Sequence, residues 1–163
     1  MPQARDRFVS HYGGIYEHSA WVAEETWPEA CDTSGADALA VLLAHCVDQA
    51  PRERRLALIR AHPDLAGKAA IDGALTEAST GEQAAAGIDR CTPQEFEQFQ
   101  SLNLQYKEKF AFPFVMAVRN SNKKEIFDAF ARRLHNDYET EFATAMTEIH
   151  KIARLRLEAL DQP

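Results

Sequence analysis

Proton chemistry near neutrality calls for an imidazole held at a defined place, and among the six histidines His62 has the most telling context. It stands directly before Pro63, and a proline pushes the residue ahead of it out of helical geometry. The helix carrying Leu56, Ile59 and Arg60, which has Pro51 at its start, should therefore stop at His62. That presents the ring beside the small, turn-forming stretch Asp64-Leu65-Ala66-Gly67-Lys68 and near the last carbonyls of the helix. Two roles fit this setting: a proton shuttle, or a partner for those C-terminal carbonyls.

Ser79 and Glu82 pose a similar choice. The spacing Ser79-Thr80-Gly81-Glu82 is that of a capping box and predicts a helix opening at Ser79. A helix start is also a place for polar ligands, where Ser79, Glu82, Gln83 and the amides around Gly81 would offer donors and an acceptor together. Arg154 and Arg156, near the end of the last helix, suit its dipole; one of them turned inward would make a carboxylate fork. His11 and His18, seven apart, have no HExxH or carboxylate cluster beside them, so no metal site is expected. His45, His135 and His150 fall on helices without a partner motif and read as structural or solvated.

The elements that must position these groups are helical. The chain has 27 alanines and 13 leucines against 6 valines and 7 isoleucines, with only 7 glycines and 7 prolines. Phe8, Tyr12, Ile15, Tyr16, Trp21 and Val22 suggest two short helices bent at Gly13-Gly14. Leu39, Leu42, Leu43 and Cys46 make one stripe after the loop Thr33-Ser34-Gly35. A second capping box, Thr92-Pro93-Gln94-Glu95, opens a helix with Phe96, Phe99, Leu102, Tyr106 and Phe110 in register. The apolar run from Phe110 to Val118 is a candidate strand, but Pro113 in its middle favours a buried extended segment. Helices over roughly Asn122 to Leu134 and Tyr138 to Leu160 close the chain. The expectation is an all-α fold of about seven to eight helices with no significant sheet, one compact domain over residues 1–163.

Composition narrows the function classes. A net charge of −7 argues against a general nucleic-acid binder. No stretch nears the ~18 apolar residues of a membrane span. Met1 to Val9 lacks the apolar run of a secretory signal, and Asp161-Gln162-Pro163 is not a peroxisomal tail, so the expected place is the cytoplasm. Cys31, Cys46 and Cys91 form no CxxC pair and read as small buried hydrophobes in a reducing compartment.

In combination these stretches resemble the OHCU decarboxylase family (2-oxo-4-hydroxy-4-carboxy-5-ureidoimidazoline decarboxylase). The likeness runs through His-Pro-Asp-Leu-Ala-Gly from His62 to Gly67, and Ser-x-x-Glu-Gln at Ser79, Glu82 and Gln83. It continues through Leu-Asn-x-x-Tyr-x-x-Lys-Phe-x-Phe-Pro-Phe from Leu102 to Phe114, with Ala111 at a usual glycine. The opening Gly13 to Ala23 also fits, with Ala20 where many relatives have proline.

The resemblance implies a cofactor-free decarboxylase of urate breakdown that acts on a small ureidoimidazoline and forms (S)-allantoin, commonly as a homodimer. It implies His62 as proton donor, with Glu82 able to assist deprotonation of the substrate hydroxyl. Substrate contacts would fall on Pro63, Ser79, Thr80, Gly81, Glu82, Gln83, main-chain groups of Phe114, Val115, Met116, Ala117 and Val118, and Arg156. Two alternatives compete with this reading: a hydrolase acting on a related ureide, and a non-catalytic helical binding module.

Overall fold

A computed structural model describes residues 2–67 and 73–160, so residues 1, 68–72 and 161–163, Lys68 among them, lie outside the described residues. These contain eight α-helices and one short 3₁₀ turn, with no strand among them. They fall into two compact units, one of residues 2–61 with 149–160 and the other within 62–148.

The first unit contains α1 (Pro2–Tyr12), α2 (Trp21–Ala30), α3 (Ala36–Gln49), α4 (Arg52–Ala61) and the end of the last helix. α1 stops at Tyr12, where Gly13 donates its N–H to the Val9 carbonyl at 2.7 Å. The glycine pair opens an irregular stretch over residues 13–20 rather than a simple bend, and Ile15 and Tyr16 are buried in that stretch instead of on a helix. Along α3 the buried positions are Leu39, Leu43 and Val47, spaced by four, whereas Leu42 and Cys46 are half-buried flanks of that stripe. Arg54 and Arg55 donate their main-chain N–H groups to the Pro51 carbonyl, which opens α4.

The second unit contains α5 (Glu77–Ala85), the 3₁₀ turn (Ile88–Arg90), α6 (Pro93–Phe110), α7 (Lys123–Arg133) and the start of α8 (Tyr138–Leu160). The capping box of α6 is complete: Glu95 N–H donates to Thr92 Oγ1 at 3.1 Å, and Thr92 N–H to Glu95 Oε1 at 2.9 Å. Asn122 caps α7 through Glu125 N–H, and Asp137 accepts Thr140 N–H at the head of α8. His135 falls in the turn after α7 rather than on a helix, because that helix ends at Arg133.

Aromatic rings make this unit's core. Phe99, Tyr106, Phe110, Phe112, Phe114 and Phe130 are fully buried, and each such side chain contributes roughly 1.5–3 kcal/mol. Phe114 stacks on Phe130 with ring centres 3.7 Å apart, and Tyr106 meets Phe114 edge-on at 5.3 Å.

α6 ends on Ala111, whose φ of 60° lies in the left-handed region while its N–H closes onto the Lys107 carbonyl at 2.9 Å. Glycine is the ordinary residue for such a cap, because a Cβ there strains the backbone by roughly 1 kcal/mol. Ala111→Gly should therefore raise unfolding free energy by about 0.5–1 kcal/mol in urea titration; a loss of stability would contradict the cap geometry.

Candidate active site

His62 follows α4 directly, as the His-Pro pair required, but its ring is buried, with 7% of the residue exposed. The sequence predicts a ring presented at a helix end; the loop beyond it instead folds inward, burying Leu65, Ala66 and Gly67. Ala66 turns the loop with a φ of 52°, and Gly67 passes so close to Asp64 that a Cβ there would lie 2.7 Å from the Asp64 Cβ. A side chain at Gly67 would force that turn open.

A buried loop must find partners for its peptide groups outside any helix ladder. Here three carboxamides serve. Gln83 accepts Ala66 N–H at 3.1 Å and donates to the Asp64 carbonyl at 3.2 Å. Asn103 donates to the Leu65 carbonyl at 2.9 Å, and Gln100 to the Ala66 carbonyl at 2.7 Å. Lys107 pairs with the Asp64 carboxylate. A neutral amide suits this task because it offers donor and acceptor without the desolvation cost of a charge.

The start of α5 differs from the sequence expectation. Thr76, not Ser79, is the N-cap: its hydroxyl accepts Ser79 N–H at 3.2 Å. Thr76 offers the same capping oxygen one turn earlier, and Glu77 adds a carboxylate at the positive end of the helix. The Ser79/Glu82 capping box is thus absent, and Gly81 lies inside the helix, its amide part of the ladder rather than a free donor. Ser79 and Gln83, four apart, share the buried face of α5, and Glu82 is half-buried. Thr80 and Gly81 are exposed, and the Thr80 hydroxyl donates to the Thr76 carbonyl.

Beyond Ala111 the chain runs to Val118 without regular structure, and Phe112, Pro113, Phe114, Val115 and Val118 are buried. The expectation of a buried segment outside any sheet holds, with Met116 and Ala117 only half-buried. Arg133 donates from Nη1 to the Val115 carbonyl at 2.7 Å and sets its guanidinium 4.2 Å from the centre of the Phe114 ring. Its Nε pairs with Glu141 at 2.7 Å, and Tyr106 donates its hydroxyl to the same carboxylate oxygen at 2.6 Å. Glu148 accepts Ala117 N–H at 3.2 Å. Burial and the neighbouring carboxylate push the Tyr106 hydroxyl pKa well above its ordinary value, so it stays a donor.

In the first unit Arg156 is buried and pairs with buried Glu17 at 2.6 Å, whereas Arg154 lies exposed between Asp37 and Glu158. His150 bridges Tyr16 at 2.8 Å and Asp48 at 2.9 Å, a pair of partners with no local signature. The thiols are free, and the reading of buried cysteines needs correction: Cys31 is exposed, while Cys46 and Cys91 are half-buried. Cys31 comes just past the end of α2 and Cys91 just past the 3₁₀ turn, where burial is incomplete. No group of three metal-ligating side chains occurs among the described residues.

Comparison with known proteins agrees with the motif likeness. The sequence model of the OHCU decarboxylase family matches residues 2–158. The chain belongs to this family. A 2-oxo-4-hydroxy-4-carboxy-5-ureidoimidazoline decarboxylase of Halalkalicoccus jeotgali is 42% identical over 98% of this chain and 88% of its own length. One from Haloferax volcanii is 45% identical over 93% and 88%. A crystal structure of (S)-allantoin synthase superposes with a TM-score of 0.76 at 33% identity, covering 96% of this chain and 50% of that one.

For this OHCU decarboxylase family member, the residues singled out by sequence divide between the units. His62, Pro63, residues 79–83 and residues 114–118 all belong to the second, and Arg156 belongs to the first. Gln83 ties α5 directly to the loop that His62 begins. Sequence reasoning missed Asn103, Gln100, Arg133, Glu141 and Glu148 as supports, and Glu17 as the partner of Arg156. Gln83→Ala would leave the Ala66 N–H and the Asp64 carbonyl without their partner, a cost of roughly 1–3 kcal/mol. Amide exchange at Ala66 should quicken by at least about tenfold. Unchanged protection there would show that the carboxamide does not hold the loop.

Proposed function

We propose that this chain is a cofactor-independent decarboxylase that converts 2-oxo-4-hydroxy-4-carboxy-5-ureidoimidazoline to (S)-allantoin in urate breakdown. The observation that carries the reading is the direct bonding of α5 to the His62 loop through Gln83, which joins a buried imidazole to the helix bearing Ser79 and Glu82. The names of the family relatives and of the (S)-allantoin synthase structure support it.

The chemistry suits these groups. The bond from the ring carbon to its carboxylate breaks, carbon dioxide leaves, and the electron pair passes into the ring's carbon–nitrogen unsaturation. No external electron sink is then required. Glu82 takes the proton of the substrate hydroxyl and returns it to the ring nitrogen that received the pair, and the hydroxyl carbon becomes a carbonyl. His62 delivers a proton to one face of the adjacent ring carbon, which makes one enantiomer. Pro63, Ser79, Thr80, Gly81, Gln83 and the main chain of residues 114–118 are the proposed contacts. Arg156, its guanidinium fixed by Glu17, joins them on the strength of the resemblance.

Among the described residues the N–H groups of Phe114, Val115, Met116 and Val118 make no hydrogen bond within the protein, which fits a segment that grips a ligand by its backbone. The aromatic surroundings of that segment favour exclusion of water from a carbanion-like intermediate. A cytoplasmic homodimer completes the proposal; no described helix is long and apolar enough to cross a membrane.

Freshly generated substrate, followed by circular dichroism and carbon dioxide release, tests this reading. His62→Ala and Glu82→Ala should each slow turnover by roughly 10²–10⁴-fold. Near-wild-type rates in both would overturn the role assignment, and substrate loss without carbon dioxide would point to ureide hydrolysis instead.

A further inference from the structure

The two contacts that hold the 112–118 stretch also fix the direction of the peptide groups between them. In a planar trans peptide the carbonyl of one residue and the N–H of the next point in opposite directions. No cis peptide occurs among the described residues. The Val115 carbonyl points at Arg133, so the Met116 N–H in the same plane is directed away from that guanidinium. The Ala117 N–H points at Glu148, so the Met116 carbonyl in that plane is directed away from Glu148. Neither main-chain group of Met116 makes a hydrogen bond within the protein.

One donor and one acceptor, two bonds apart along the backbone and held by clamps on either side, complement the N–H/C=O edge of a ureide or cyclic amide. The cost of the clamp argues in the same direction. Arg133 and Glu141 side chains are 6% and 0% exposed, and burying such a pair gains little over apolar packing. Its distinctive consequence here is the fixed Val115 carbonyl.

We infer that Arg133 and Glu148 are positioning residues, which orient the Met116 N–H and carbonyl toward the amide edge of the substrate; the inference rests on the decarboxylase reading above. They act through the backbone and need not touch the reacting atoms. Removing them should weaken binding of the ureide edge and leave the chemical step nearly intact.

Glu148 gives the cleaner test, because it is half-buried and Gln keeps an oxygen able to accept the Ala117 N–H. Kinetics of carbon dioxide release would be paired with calorimetric titration of (S)-allantoin on the same proteins. Glu148→Ala should raise KM and the allantoin Kd about tenfold, the weight of one hydrogen bond, with kcat held within about threefold. Glu148→Gln should restore both to within about twofold of wild type. Arg133→Lys, which keeps a cation facing Glu141, should shift KM in the same direction as Glu148→Ala. Unchanged KM and Kd in Glu148→Ala would overturn the inference. So would a folded Glu148→Gln as impaired as Glu148→Ala. A wild-type protein that binds allantoin but releases no carbon dioxide would overturn the decarboxylase reading instead, leaving the titration to decide the positioning; absence of binding would overturn both.

Discussion

Backbone that leaves a helix and remains buried has to find its hydrogen bonds elsewhere, and the site proposed for this protein is built from two such stretches. Residues 64–66 satisfy theirs with the carboxamides of Gln83, Gln100 and Asn103. Residues 115–117 rely on a guanidinium and a carboxylate. The helices supply these side chains at fixed heights: Gln100, Asn103 and Lys107 rise along one side of α6 at intervals of three and four. The His62 loop therefore inherits the rigidity of α5 and α6 although it has no ladder of its own.

The two solutions differ in their energetics. Neutral amides meet a tight turn at modest desolvation cost, and leaving any one of them out orphans a peptide group. The Arg133–Glu141 pair faces the larger penalty of two buried charges, eased by Tyr106 and Asn136 donating to the same carboxylate. Phe114, stacked on Phe130 and facing the guanidinium, ties this polar knot to the aromatic core. Packing and polar satisfaction thus constrain the same few residues from opposite sides.

Local chemistry made much of this readable in the sequence. Pro63 stops α4, Thr92 and Glu95 open α6, and Pro113 keeps the following run out of a sheet; each acts within a few residues of itself. The head of α5 is ambiguous in the sequence because Thr76 and Ser79 both offer a capping hydroxyl, and the earlier one has Glu77 beside it. The supporting side chains left no local trace. Gln83 meets its targets 17 and 19 residues away, Asn103 reaches 38 residues, and Arg156 finds Glu17 across 139. On a helix such residues look like any solvated polar position until the fold places a buried peptide group or carboxylate in front of them.

A crystal structure with (S)-allantoin soaked into the protein would bear most directly on the claim that these clamped stretches form the ligand site. The ureide should lie against the Met116 main chain, within hydrogen-bond distance of both its N–H and its carbonyl, with the His62 ring in contact. Allantoin seated instead in the 160 Å³ cavity lined by Tyr16, Val41 and His150, with residues 62–67 and 114–118 untouched, would contradict it.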